Sequence, residues 1–314
     1  MPATTDNSLA MVFPGQGSQS LGMLAELSAE YAAVSDTFAE ASEVLGYDLW
    51  KLVQDGPEED LNQTDRTQPA MLAAGVSVWR VWQSLDGARP SVMAGHSLGE
   101  YSALVCAGAL GFTDAIALVA ERGRCMQSAV PSGVGAMAAL LGLADDVVAD
   151  VCKTAADNEV VEPVNFNSPG QVVIAGNSAA VERAIELAKA AGAKRAVTLP
   201  VSVPSHCALM TPAAEKFALT LADVAIHSPA IPVVQNVDAQ SHEQPETIRD
   251  NLARQLCKPV LWVSSVQTMQ SQGVTRMIEM GPGKVLTGLC KRIDKTIDNR
   301  AVFDPASLAA ALAD

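Results

Sequence analysis

Residues 91–107 read SVMAGHSLGEYSALVCA. The apolar run from Ser91 to Gly95 predicts a short strand, and Leu98 to Ala107 predicts a helix. Ser97 falls where one becomes the other, inside Gly95-His96-Ser97-Leu98-Gly99, a GxSxG pattern. The glycines have a physical reason: a strand that turns sharply into a helix leaves no room for side chains beside a nucleophile. Such a turn presents the hydroxyl outward and sets the Leu98 amide and the helix N-terminus toward a developing oxyanion. The pentapeptide alone arises by chance in a chain rich in Gly and Ser. Its strand-to-helix setting is what favours a nucleophile elbow.

Outward from the elbow, strands and helices alternate, which predicts an α/β fold. Leu9 to Phe13 predicts a first strand, stopped by Pro14-Gly15. Tyr31 to Leu45 predicts a helix ended by Gly46, and Thr67 to Leu85 a largely buried one. Residues 129–200 follow a different order: strand 136–141, helix 145–156, strands 160–166 and 171–175 joined by the turn Asn167-Ser168-Pro169-Gly170, helix 179–191 and strand 195–199. This is βαββαβ, the ferredoxin-like arrangement. The expected division is a large α/β catalytic domain over 1–128 and 201–314, with a ferredoxin-like small domain at 129–200. After 201 the sequence predicts a helix following Ser205, a strand at Val233 to Gln235 and a final strand-turn-helix around Met277 to Arg292.

The 314 residues are 49% hydrophobic and 18% charged, enough to bury a sizeable core and to exclude whole-chain disorder. A net charge of −14 argues against nonspecific nucleic-acid binding. Residues 1–120 carry 4 Lys/Arg against 15 Asp/Glu, a net of −11, and residues 121–314 carry 17 against 20, a net of −3. An anionic ligand or acidic partner is therefore expected on the second part. Neither long uncharged stretch, 125–144 or 196–214, reads as a membrane span, because prolines interrupt both. The N-terminus has no basic region and no apolar run of a signal peptide. Six widely spaced cysteines without a CxxC pair predict free thiols in a reducing cytoplasm.

A serine nucleophile needs a base, and there are four histidines. His96 adjoins Ser97 and should point away from it; His227 and His242 read as exposed loop residues. His206, in Pro204-Ser205-His206-Cys207, sits at the expected start of a helix within an uncharged segment. It is a core or capping residue or the base, and the single GxSxG favours the base. No acid lies between Leu199 and Ala214, so a backbone carbonyl or an amide side chain is the expected partner of the imidazole. The loop Phe13-Pro14-Gly15-Gln16-Gly17-Ser18-Gln19 lacks the lysine and spacing of a phosphate loop. It is an ordinary βα turn, or a turn that brings Gln16 into a site. Arg122 sits late on an otherwise apolar helix, as a solvated end or as a bidentate grip on a substrate carboxylate. Lys284, Lys291, Arg292 and Lys295 form one basic cluster and Lys194-Arg195 another. Each alone suits a solvated face; against the overall negative charge they are candidates for docking an acidic partner.

Taken together, FPGQGSQ at 13–19, GHSLGEYSAL at 95–104, RGRCMQ at 122–127, NFNSPGQVVIAG at 165–176, VPSHCALM at 203–210 and EMGPGKVLTGL at 279–289 resemble the stand-alone malonyl-CoA:acyl carrier protein transacylase family of bacterial type II fatty acid synthesis. The resemblance spans nearly the whole chain. It implies a three-layer, hydrolase-like α/β domain with a parallel sheet and a ferredoxin-like insert. It implies Ser97 as nucleophile, His206 as base and acid, Gln16 and the Leu98 amide as oxyanion hole, and Arg122 for the malonyl carboxylate. Gln255 matches the family residue whose backbone carbonyl orients the histidine. The resemblance further implies malonyl-CoA as substrate, acyl carrier protein as a transient partner, and no bound cofactor or metal. A cytoplasmic monomer that binds neither nucleic acid nor membrane is expected. Because acyl carrier proteins are acidic, Lys194, Arg195, Lys291 and Arg292 are the expected docking rim. Three competing readings share parts of this pattern. A plain esterase or thioesterase has the same elbow but needs water in the site and usually an acid. A related transacylase could take a different acyl group, and a non-catalytic docking subunit could keep the fold alone.

Overall fold

The computed structural model describes residues 5–131, 133–201 and 203–313. The first four residues, on which the signal-peptide reading partly falls, lie outside them. Among the described residues, nine strands are formed: β1 (Thr5–Phe13), β2 (Arg89–Gly95), β3 (Gly135–Leu141), β4 (Val161–Ser168), β5 (Gln171–Asn177), β6 (Arg195–Thr198), β7 (Val233–Val234), β8 (Arg276–Met280) and β9 (Asp298–Val302). They make two sheets. One has the order β7-β2-β1-β8-β9 with every pairing parallel; the other has the order β4-β5-β3-β6 with every pairing antiparallel.

The parallel sheet is covered on both faces, which is why the second half of its central strand, Leu9 to Phe13, is continuously apolar. Leu9 to Phe13 are at most 1% exposed. Leu9, Met11 and Phe13 face a core that includes the helix Thr64–Ser84, while Ala10 and Val12 face the helices Trp262–Ser271 and Val285–Ile293. From Ala10 opposite Val92 to Phe13 opposite Gly95, β1 and β2 stay in register. The loop after β1 and the turn after β2 therefore emerge side by side at the carboxyl edge of the sheet, where ligands of parallel sheets bind.

The second sheet arises from the sequence as expected, in the order β3, helix Asp145–Ala155, β4, β5, helix Ser178–Ala190, β6. Both helices pack on one face. The other face, with Met137, Val164, Val173 and Ala175, packs on Cys207 and turns toward the parallel sheet. One link between this unit and the rest of the chain is a backbone bridge: Phe166 N donates to the Val260 carbonyl at 3.0 Å and Val260 N to the Val164 carbonyl at 2.8 Å.

Two local expectations change. The chain does not end on the unit at Met277 to Arg292; β9 and a helix Pro305–Leu312 follow. β9 is a mostly polar edge strand, DNRAV, of which only Val302 is buried, so it carries no strand-like apolar run. His206 does not begin a helix. It sits in a left-handed turn at φ 67°, ahead of a 3₁₀ turn Ala208–Met210 and the helix Thr211–Ala222. Among the described residues, no helix is long and apolar enough to cross a membrane. All six cysteines are free.

Candidate active site

The turn between β2 and the helix Gly99–Cys106 is packed to backbone contact. A Cβ on Gly95 would lie 1.9 Å from the Gly99 carbonyl carbon, and a Cβ on Gly99 would lie 2.0 Å from the Phe13 carbonyl oxygen. Only glycine fits at either place. Ser97 between them takes φ 51°, a costly conformation for a residue with a side chain. The fully buried Asn236 holds it there: its Oδ1 accepts the Ser97 N–H at 2.6 Å and its Nδ2 donates to the Gly95 carbonyl at 2.7 Å.

Ser97 Oγ lies 2.8 Å from His206 Nε2, across 109 residues of sequence. His206 Nδ1 lies 2.7 Å from the Gln255 carbonyl oxygen. A carbonyl only accepts, so Nδ1 carries the proton and the Nε2 lone pair faces the serine hydroxyl. That is the tautomer a general base needs. Burial, with the nearby Arg122 charge, pushes the His206 pKa down to about 3, so the imidazole is neutral at physiological pH. Of the two partners expected for the imidazole, a backbone carbonyl or an amide side chain, the one at Nδ1 is a backbone carbonyl.

Arg122 is on the buried face of the helix Phe112–Ala129, not at a solvated end, and is 1% exposed. Nη1 donates to Gln68 Oε1 at 2.9 Å, and Nη2 donates to Gln255 Oε1 at 2.9 Å and to Ser97 Oγ at 3.3 Å. All three acceptors are neutral, so the guanidinium is held in place with its charge uncancelled by them. Among the described residues, its Nε has no partner. Gln16, Leu98, Arg122 and His206 line one cavity with Ser97. Met137, Asn165, Leu199 and Val201 close it from the side of the antiparallel sheet. Gln16 Nε2 reaches Thr64 Oγ1 at 3.4 Å, a long bond for a side chain left available to the cavity.

His96 turns away from Ser97, as expected, and its Nε2 meets Asn167 Oδ1 at 2.8 Å. His227 is exposed; His242 is half-buried and paired with Asp238 at 2.8 Å. Lys194, Arg195, Lys291 and Arg292 are exposed. They come together: Arg292 Nη1 donates to Gln171 Oε1 at 2.9 Å, Gln171 pairs with Leu141, and Leu141 pairs with Arg195. Lys284 differs, lying 4.9 Å over the Phe303 ring. Among the described residues, no group of three or more His, Cys, Asp or Glu is placed to hold a metal ion.

Sequence reasoning passed over Gln68, Glu100, Asn236 and the side chain of Gln255. Glu100 is buried in the first turn of the elbow helix. Burial lifts its pKa to about 7 against the hydrogen bonds that favour its charge. A charged residue in the run GHSLGEYSAL was the available signal; the amides had none, because their bonds span 54 to 158 residues.

A model of the acyl transferase domain matches residues 10–309. The malonyl CoA-acyl carrier protein transacylase of Escherichia coli K12 is 60% identical over 303 residues, covering 96% of this chain and 98% of the relative. The chain belongs to the acyl transferase family. Solved structures agree. An acyl carrier protein S-malonyltransferase from Vibrio cholerae superposes with a TM-score of 0.95 at 64% identity, covering 96% of this chain and 99% of the other. A malonyl-transacylase solved in complex with its type II PKS acyl-carrier protein superposes with a TM-score of 0.97 at 59% identity, covering 98% and 99%. The mixed α/β fold with its parallel sheet is thus that of solved acyl transferases, and the chain is an acyltransferase.

Proposed function

We propose that this chain moves the malonyl group from malonyl-CoA to the phosphopantetheine thiol of acyl carrier protein through an ester on Ser97, supplying malonyl units for fatty acid biosynthesis. The observation that carries the proposal is the meeting of two groups at one oxygen: Ser97 Oγ has the His206 base at 2.8 Å and the buried Arg122 cation at 3.3 Å. A hydrolase needs the first; only a substrate with a free carboxylate gives a reason for the second.

Ser97 Oγ attacks the thioester carbonyl while His206 Nε2 takes its proton. The oxyanion is received by the Leu98 amide and Gln16, donors already in place, which is usually the largest catalytic contribution. Collapse breaks the carbon–sulfur bond, and the leaving CoA thiolate takes the proton back from Nε2. The carrier thiol then attacks the Ser97 ester by the same steps in reverse. The malonyl carboxylate lies two bonds from the ester carbonyl, so a guanidinium within hydrogen-bonding reach of Oγ is suitably placed to receive it. Acetyl-CoA would leave that buried cation unpaired, which costs more than the lost contact itself.

On this account the chain divides at 129–200 into a ferredoxin-like insert and a hydrolase-like three-layer body, with the substrate cavity between them. The basic edge formed by Lys194, Arg195, Lys291 and Arg292 is the docking rim for the acidic carrier. The matched complex of a malonyl-transacylase with its carrier protein supports transient docking. The test is steady-state kinetics with malonyl-CoA varied at several fixed concentrations of holo acyl carrier protein. Parallel double-reciprocal lines are expected from the ester intermediate; intersecting lines would count against it.

A further inference from the structure

Glu100 is 0% exposed, and its carboxylate receives three N–H donors: Gln235 Nε2 at 3.0 Å on one oxygen, Asn236 N at 2.8 Å and Gln255 Nε2 at 2.9 Å on the other. Three N–H donors suit an ionised carboxylate. Two of these donors belong to residues that hold the reacting groups. Gln255 fixes His206 through its backbone carbonyl, Arg122 through its side-chain oxygen and the Ser97 carbonyl through its side-chain nitrogen, at 2.7, 2.9 and 3.1 Å. Asn236 clamps both sides of the elbow. Among the described residues, Arg122 thus reaches a buried anion through one amide, Arg122 Nη2 to Gln255 Oε1 and Gln255 Nε2 to Glu100. The other buried carboxylate among the described residues, Glu279, is occupied by Leu286 and Thr287.

We propose that Glu100 is a positioning residue for the transfer reaction: through Gln255 it aims the His206 base and the Arg122 cation, and through Asn236 it holds the Ser97 elbow. It also serves as resident counter-charge to Arg122 at one amide's remove, so that Arg122 keeps its own donors for a substrate carboxylate. A carboxylate in direct contact with Arg122 would compete with the substrate; a remote one makes the buried cation tolerable without blocking it. This rests on the malonyl-transfer reading above.

The test is single-turnover malonylation of Ser97, followed by quenched intact mass at a series of malonyl-CoA concentrations, on the wild type, Glu100→Gln, Gln255→Ala and the double variant. Gln255→Ala keeps the backbone carbonyl and removes only the amide link. Glu100→Gln puts an NH₂ against N–H donors. Its maximal rate is expected to fall about 10- to 100-fold, with half-saturation changed by less than about threefold. The double variant is expected to lose about as much as the worse single, because both act through one network. A folded Glu100→Gln that malonylates at the wild-type rate, or single losses that multiply in the double variant, would overturn the proposal. If Glu100→Gln does not fold, Glu100→Asp takes its place in the cycle with the same expectation. If the wild type itself forms no adduct, the transfer reading fails instead. The NMR resonance of the His206 Nδ1 proton then still tests the positioning role: a shift or loss in the Glu100 variant supports it, and an unchanged resonance refutes it.

Discussion

Replacing Arg122 by Met keeps much of its volume and removes its charge. The cost follows from its surroundings. Arg122 is 1% exposed, so a malonyl carboxylate paired with it is a desolvated, charge-assisted contact. Removing one partner of such a pair costs about 2–5 kcal/mol, or about 30- to 5000-fold in kcat/KM at 1.36 kcal/mol per tenfold. The substitution also strips the donors from Gln68 Oε1 and Gln255 Oε1, and the second loss loosens the residue that orients His206. That part is common to every acyl donor. Acetyl-CoA, which leaves the guanidinium unpaired in the wild type, escapes the first cost altogether. The ratio of kcat/KM for malonyl-CoA over acetyl-CoA is therefore expected to fall by about 100-fold. Arg122→Lys should lie between, since one ammonium cannot replace a planar fork that holds Gln68 and Gln255 together. CoA release with each donor, read under subsaturating conditions, gives the ratio. Equal fold-losses for malonyl and acetyl would refute the assignment of Arg122 to the substrate carboxylate.

The neutral His206 sets the pH response. Its folded pKa of about 3 keeps His206 itself from titrating above pH 5 in kcat/KM for Ser97 malonylation, where an unperturbed histidine would titrate near 6.5; Glu100, lifted to about 7, is the group expected to titrate there, so a limb near 6.5 that persists in Glu100→Gln would contradict the buried, neutral base. Because the unfolded chain binds this proton below pH 6.5 and the folded chain does not until about 3, His206 costs stability as pH falls through that window. His206→Ala should then lose less melting temperature than the wild type between pH 6.5 and 4. Charge reversal of Lys194 and Arg292 together should raise KM for acyl carrier protein several-fold at low ionic strength and much less at high salt, with Ser97 malonylation less affected. An unchanged KM at low salt would remove the docking rim from this edge.

What the sequence disclosed follows what the physics makes local. The apolar run Leu9 to Phe13, the GxSxG turn and the βαββαβ order between 129 and 200 depend on neighbours a few residues apart, and they appear where expected. β9 escaped because an edge strand needs little apolar surface. His206 was found by its rarity and its uncharged setting, but its left-handed turn was not, since no glycine or asparagine announces φ 67° there. The carbonyl of Gln255 was anticipated through family resemblance alone. Gln68, Asn236 and Glu100 stayed hidden because each acts through hydrogen bonds to residues far away in the chain; Glu100 and Asn236 are 136 positions apart. Buried amides that brace charged groups leave no periodicity to read.

The central claim is a malonyl ester on Ser97. It is tested most directly by the intact mass of the protein after brief mixing with malonyl-CoA, with Ser97→Ala alongside. One malonyl adduct on the wild type and none on Ser97→Ala is the predicted result. CoA and free malonate accumulating with no adduct, or an adduct that persists in Ser97→Ala, would contradict it.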